Sequence, residues 1–208
     1  MATVVSRVES YIKRLNRGTV FTFDTVVSRV GATQKDTVNH ALKKLTKSNE
    51  IVHVKKGVYA RPKMSRFGVI PVEPGKVVRV TAKNNGANVY PYGTSVLNAL
   101  GLSTQLAMSY TYVATSRITP FKVNNVVINI HYSRALKRAE EAIKGISENE
   151  KERVILLWIS LEYLGEFESR KQLQNINNIF FELSTKAQEQ LVRSFGRKLH
   201  WAKILFSI

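Results

Sequence analysis

The chain has 208 residues, 44% of them hydrophobic, no cysteine, and a formal net charge of +17 from 32 Lys/Arg against 15 Asp/Glu. The lack of cysteine excludes disulfides, thiol catalysis and cysteine zinc fingers, and no apolar run is long enough to cross a bilayer. The positive charge therefore favours nucleic acid over an anionic membrane as partner. We expect a globular cytoplasmic protein whose N-terminus carries no signal peptide.

The positive charge is concentrated near the N-terminus. Residues 1–66 hold 14 Lys/Arg against 4 Asp/Glu, whereas residues 67–208 hold 18 against 11. The first third of the chain thus carries more than half of the excess, and we expect it to bind the polyanion.

Three helices are predicted in the first 47 residues. The second is short, with Asp24 as its N-cap and Gly31 as the left-handed residue that ends it. The third begins at a capping box formed by Thr33 and Asp36. Apolar residues recur at helical spacing in the first and third helices: Val4, Val8, Tyr11, Ile12 and Leu15, then Val38, Ala41, Leu42 and Leu45.

The outward face of the third helix is polar, as in a recognition helix that enters the major groove. His40 on this face can contact DNA or be a solvated surface histidine, and both readings stay open. The outward-facing side chains are Thr33, Asp36, Thr37, His40, Lys43, Lys44 and Lys47. The DNA contacts predicted on this helix are Thr33, Gln34, Thr37, His40, Lys43 and Lys44.

A short basic hairpin follows the third helix. Residues 51–54 and 58–60 read as strands joined by a turn at Lys55, Lys56 and Gly57. Behind a helix-turn-helix such a hairpin is a wing, and we predict phosphate contact by both lysines rather than a merely solvated turn.

Residues 61–75 are rich in proline and glycine and are predicted to be a connector. Arg61, Lys63 and Arg66 would extend the DNA-facing charge along it. The predicted organisation is a winged helix-turn-helix DNA-binding domain at 1–66 and an α+β domain at 67–208.

The second domain combines a small antiparallel sheet with a helical C-terminus. A helix is predicted from about Thr94 to Leu100, closed by Gly101. Strands are predicted at 109–115, 118–122 and 126–132, with a turn at Asn124–Asn125. From Ser133 onward four helical stretches follow, so the predicted fold class is α+β. Residues 76–84 fit either a strand or a helix.

Three stretches of the chain resemble the AbiEi-like antitoxins of type IV toxin–antitoxin systems and related transcriptional regulators. They are TVNHALKKL at 37–45, GVYARPKMSRFG at 57–68, and VYPYGTSVLNALGLSTQ at 89–105 with SYTYVAT at 109–115. The resemblance implies an N-terminal winged domain that represses its own promoter and a C-terminal domain that counters a nucleotidyltransferase-like toxin. It also implies a helix at 74–84. The chain departs from the family at Ser48-Asn49, where the family often has a glycine before the first wing strand, and Asn tolerates left-handed geometry.

No catalytic, cofactor or metal site is predicted. The acidic residues at 140–141 and 148–152 are expected to be helix starts and solvated faces. Glu162, Glu166 and Glu168 have no Asp or His beside them, so a metal site there is disfavoured.

Other polar and aromatic residues also have ordinary structural explanations. Gly93-Thr94-Ser95 could hold a phosphate at a helix start, but capping and tight packing explain it better. Most aromatic side chains of the C-terminal helices should be core, and a fraction could support self-association. The histidines among apolar neighbours are expected to be packed: His53, His131 and His200.

The function predicted from these features is sequence-specific binding of double-stranded DNA, and the resemblance implies that the protein is an antitoxin that represses its own operon. Two alternatives stay open. One is a protein-interaction module that acts mainly through the C-terminal domain, and the other is RNA binding by the winged domain.

Overall fold

The computed structural model describes residues 3–206. This part of the chain is a mixed α+β fold with small antiparallel sheets and a helical C-terminal part, which confirms that much of the predicted fold class. In chain order its elements are α1 Val4–Arg14, β1 Val20–Thr22, α2 Phe23–Val30, α3 Lys35–Lys47, β2 Val52–Lys55, β3 Val58–Ala60, β4 Lys63–Ser65, β5 Gly68–Ile70, α4 Pro74–Asn84, β6 Val89–Pro91, α5 Thr94–Ala99, β7 Tyr110–Ala114, β8 Phe121–Val123, β9 Val126–Tyr132, α6 Arg134–Ala142, α7 Glu148–Lys171, α8 Leu173–Phe181, α9 Thr185–Ser194, a 3₁₀ turn Arg197–Leu199 and α10 Ala202–Leu205.

The chain divides into two compact units. The first holds the chain up to Ala87 together with Pro120–Ile128, and the second holds Asn88–Thr119 together with the chain from Asn129 onward. The first unit therefore continues past the domain boundary predicted at residues 66–67.

Helix α4 explains why the first unit continues. It packs on β1, where the Thr22 hydroxyl donates to Asn84 Oδ1 at 2.9 Å, and Asn84 Nδ2 donates to Asp24 Oδ2 at 3.1 Å. The ambiguous segment 76–84 is thus helical. The preceding connector is not irregular either, because β4 and β5 form a hairpin within it.

Two helix starts in the first unit differ from the predictions. Thr22, not Asp24, caps α2, since its hydroxyl accepts from the Thr25 N–H at 3.1 Å. The capping box of Thr33 and Asp36 does not form, because α3 begins at Lys35 and Gln34 is its N-cap residue. The end of α2 is as predicted, with Gly31 left-handed at φ 59°.

The apolar stripes of the first unit converge on one core. Every residue predicted for the apolar stripe of α3 is buried, which leaves the polar face of this helix outside. The core comprises Val8, Ile12, Phe21, Val26, Val30, Val38, Ala41, Leu42, Leu45 and Ile51. Beside it, β1, β3 and β2 form an antiparallel sheet with β3 in the middle.

The predicted strand at 118–122 is formed only from Phe121 to Val123. Pro120 has no N–H for a strand ladder, so pairing begins after it. The turn at Asn124–Asn125 is confirmed, and both residues have positive φ, 49° and 65°.

In the second unit, β7 lies between β6 and the part of β9 that follows Ile128. Helix α5 ends before Gly101, which is left-handed as predicted (φ 70°). The C-terminal helices and α5 share one apolar core. This core includes Val96, Leu136, Leu157, Trp158 and Phe180. Helix α7 continues through a kink at Gly165, where φ is 69°.

Glu140 is buried, although its segment was predicted to be a solvated helix face. Its carboxylate accepts from Asn88 Nδ2 at 2.5 Å and from the Tyr90 hydroxyl at 2.8 Å. These hydrogen bonds join α6 to β6 and to the residue before it. Burial first, then the hydrogen bond to Glu140 and its charge, raise the pKa of the Tyr90 phenol well above its ordinary value.

Because the pKa of Tyr90 is raised, the free energy of unfolding depends on pH in the alkaline range. The stabilising effect of neutral Tyr90 is fully present below the unfolded-state phenol pKa of about 10 and is lost as the pH rises above it. We expect Tyr90→Phe to lower the free energy of unfolding at neutral pH and to flatten its decline above about pH 10. Urea titrations at several alkaline pH values measure this, with the exposed Tyr132→Phe as control. Parallel declines for wild type and Tyr90→Phe would contradict the assignment.

Candidate nucleic-acid interface

The outward face of α3 holds the side chains predicted to contact DNA. Thr37 is half-buried, and its hydroxyl donates to Gln34 Oε1 at 3.4 Å. Thr33 and Gln34 were predicted on this helix but precede its first residue, Lys35. They are exposed, and so are the remaining predicted contacts on the helix: His40, Lys43 and Lys44.

A groove of about 740 Å³ runs between the second half of α3 and the exposed face of the β2–β3 hairpin. It brings some of the predicted DNA contacts together with residues that were not predicted to contact DNA. The lining residues are His40, Lys43, Lys44, Thr46, Lys47, His53 and Tyr59. Lys47 could have been selected from its outward helical position, whereas His53 and Tyr59 required knowledge of the strand register.

The lysines of this groove differ in their electrostatic surroundings. Lys44 Nζ lies 3.1 Å from Glu9 Oε1, so part of its charge is already balanced, although its side chain is 72% exposed. Lys43 and Lys47 are exposed and make no ion pair among the residues described. Among the lysines that line the groove, Lys43 and Lys47 are therefore the most available to a phosphate.

A β-bulge changes the position of Lys55. His53 pairs with Tyr59 and Lys55 pairs with Val58, with Val54 as the extra residue between them. Since paired residues share a face of the sheet, the bulge moves Lys55 to the face opposite His53.

Lys55 is consequently not the free wing-tip cation that was predicted. Its ammonium lies 4.2 Å from the centre of the Phe121 ring, and burial lowers its pKa. Lys56 remains exposed at the turn before Gly57. Of the two lysines predicted at the tip, Lys56 is exposed and Lys55 is half-buried against Phe121.

The three histidines that were predicted to be packed among apolar neighbours are not buried. His53, His131 and His200 are exposed. The His53 ring lies edge-on to Tyr59 with centroids 5.3 Å apart, so it forms part of the groove wall. Burial raises the pKa of Tyr59, whose hydroxyl therefore stays a neutral hydrogen-bonding group.

Arg61 has a structural role. Its Nη1 donates to the Lys13 carbonyl at 2.7 Å and to the Leu15 carbonyl. These carbonyls lie at the C-terminal end of α1, where helical partners are lacking. Arg61 Nη1 is thus engaged with the backbone at the end of α1, whereas Lys63 is exposed.

We expect Arg61→Ala to destabilise the first unit by about 1–2 kcal/mol, because two carbonyls lose a charged donor. Amide hydrogen exchange should accelerate in the last turn of α1. The exposed Lys63→Ala serves as the control for lost charge. Equal protection of this turn in Arg61→Ala and wild type would show that the contact does not stabilise it.

The first unit carries most of the net positive charge of the chain. Its segments contain 18 Lys/Arg against 5 Asp/Glu, a net +13 of the total +17. The groove therefore belongs to a strongly electropositive unit, which raises the local concentration of polyanions.

Within residues 3–206, no group of three or more acidic or histidine side chains could hold a metal ion. The glutamates weighed as ligands instead form separate ion pairs: Glu162 with Lys198, Glu166 with Arg170 and Glu168 with Lys171. In the same described range, no helix has the length and apolar character needed to span a membrane.

Residues 7–156 match the model of DUF6088, which is described as a family of unknown function. The matched range includes the α3 groove and the β2–β3, β4–β5 and β8–β9 hairpins of the first unit. No curated protein and no solved structure matches the chain.

Proposed function

This chain belongs to the DUF6088 family, and we propose that it is a DNA-binding protein whose first unit is a winged helix-turn-helix. The proposal rests above all on one observation. The polar face of α3 and the β2–β3 hairpin form one basic groove that contains Lys43 and Lys47.

The order of elements in the first unit supports this proposal. Three helices precede the β2–β3 hairpin, and β1 joins that hairpin as a third antiparallel strand beside β3. Winged helix-turn-helix domains have this order, with the third helix in the major groove and the hairpin on the flanking backbone. In this arrangement α3 is the recognition helix and Lys56 contacts phosphate.

We propose further that the DNA is the promoter of the chain's own gene and that binding represses it. The support is the resemblance to antitoxins of type IV systems. Its most specific stretch forms β6, α5 and β7, a continuous part of the second unit. On this proposal the second unit would counter a nucleotidyltransferase-like toxin.

Selection of genomic DNA fragments by the purified full-length chain tests the proposed function. We expect duplex fragments from the region upstream of its own gene to be enriched and to compete better than structured RNA at equal salt. A preference for structured RNA would replace DNA with RNA as the partner. Retention of neither nucleic acid would overturn the proposal.

Thr37 should contribute to sequence preference rather than to overall affinity. Thr37 is half-buried near the start of α3 with its hydroxyl beside Gln34, and Ser and Thr hydroxyls can bond to base edges. We expect Thr37→Ala to lower the ratio of selected to random duplex affinity by roughly 5- to 50-fold while random-duplex affinity stays unchanged. Titrations on both duplexes measure the ratio. A parallel loss on both would remove Thr37 from base reading.

A further inference from the structure

The β4–β5 hairpin ends in a tight turn that presents Arg66 and Phe67. Ser65 pairs with Gly68 across the hairpin, so only these two residues connect the strands. The strands themselves are short, and the turn is therefore the main feature that the hairpin exposes.

Hydrogen bonds hold this turn in one conformation. The Phe67 N–H donates to Ser65 Oγ at 3.2 Å, and the Ser65 hydroxyl donates to the Gly68 carbonyl at 3.1 Å. Gly68 has a φ of 108°, a backbone conformation that residues other than glycine rarely adopt. The tip is thus preorganised, which reduces the entropy lost when it binds.

The apolar side chains of this hairpin are not packed in a core. Phe67 is 86% exposed, and the Arg66 guanidinium lies 4.7 Å from the centre of its ring. Met64 and Val69, which pair across the strands, are each more than half exposed. A ring this exposed, beside an arginine, can contact a ligand that is both anionic and apolar.

The sequence around the hairpin is basic, which favours an anionic ligand. Residues 51–72 contain five Lys/Arg and no Asp or Glu, and they include the β2–β3 hairpin of the proposed interface. Duplex DNA offers phosphates for the cations and stacked bases for the ring. In minor-groove binding proteins an arginine follows the groove while an apolar side chain wedges between base steps.

We propose that the Arg66–Phe67 tip is a second DNA-contacting element, which enters the minor groove and inserts Phe67 as a wedge. This inference rests on the proposed DNA binding and specifies how the bound duplex is deformed. Partial unstacking at the wedge would bend the DNA.

The test uses the full chain and a duplex of about 30 base pairs, long enough for several helical turns. The duplex comes from the selection and carries 2-aminopurine at successive steps. We expect the wild type to raise 2-aminopurine fluorescence at one step. Phe67→Ala should abolish that rise and weaken binding roughly tenfold, as loss of a stacking aromatic does. Phe67→Leu should keep part of the rise, because leucine is also an apolar wedge.

Phe167→Ala is the matched control, since Phe167 in the second unit is 72% exposed and has Lys171 Nζ 4.1 Å from its ring centre. It should leave affinity and fluorescence unchanged. If Phe67→Ala also changes neither, while charge reversal at Lys43 and Lys47 abolishes binding, the wedge is refuted and the proposed function stands. If the wild type binds no duplex, both fail. Tighter Phe67-dependent binding to phosphatidylserine vesicles than to duplex would make a membrane surface the partner and overturn the inference.

Discussion

Lys43→Glu combined with Lys47→Glu should weaken duplex binding by roughly 100-fold or more at moderate salt, because two phosphate contacts become repulsive. Both lysines are exposed on the groove side of α3, and neither is committed to an ion pair among the residues described. The slope of log affinity against log salt should fall in magnitude by about 2. Fluorescence anisotropy on a labelled duplex measures both quantities.

The control must change the net charge equally without changing the groove. Lys137→Glu with Lys186→Glu does so, because both lysines are exposed and lie in the second unit. We expect this control to retain most of the affinity. If both double variants lose affinity equally, binding depends on overall charge and α3 has no special role.

Glu140→Ala should lower the free energy of unfolding of the second unit by about 1–3 kcal/mol, since it removes a buried carboxylate that accepts from the half-buried Tyr90 hydroxyl and the exposed Asn88 amide. Asn88 and Tyr90 would lose this carboxylate, and α6 would lose its polar link to β6. Both tryptophans of the chain, Trp158 and Trp201, belong to this unit. Tryptophan fluorescence during urea unfolding therefore reports on the unit directly.

The neighbouring glutamate provides the comparison. Glu141 is exposed on the same helix, so Glu141→Ala should change stability by no more than about 0.5 kcal/mol. A Glu140→Ala variant as stable as Glu141→Ala would mean that the buried carboxylate does not hold α6.

Elements that depend on local pattern were predictable from the sequence. The stripe of Val38, Ala41, Leu42 and Leu45 repeats at helical spacing, and all four residues are buried. Gly31 is left-handed as expected, and Asn49, a residue type that tolerates this geometry, has a φ of 58°.

Features that depend on register or long-range contacts were not predictable. The sequence of the Lys-Lys-Gly turn does not indicate the bulge at Val54. This bulge brings the Lys55 ammonium over the Phe121 ring. Arg61 looked like one more cation of a basic run, because its acceptors lie at the end of α1, more than 40 residues away.

Glu140 illustrates the same limit in the second unit. In sequence it is one of two adjacent glutamates in a polar helix. Only the packing of α6 on β6 distinguishes the buried residue from its exposed neighbour. Sequence periodicity identifies apolar faces well, but it does not show which polar residue has a buried partner.

The most direct test of the proposed function is the salt dependence of wild-type binding to a duplex selected from genomic DNA. We expect log affinity to fall linearly with log salt with a slope of about −4 or steeper, as several lysines and arginines release counterions. The selected duplex should remain favoured over a random one as the salt rises. Absence of binding at low salt, or equal affinity for duplexes of any sequence, would contradict a sequence-specific DNA-binding function.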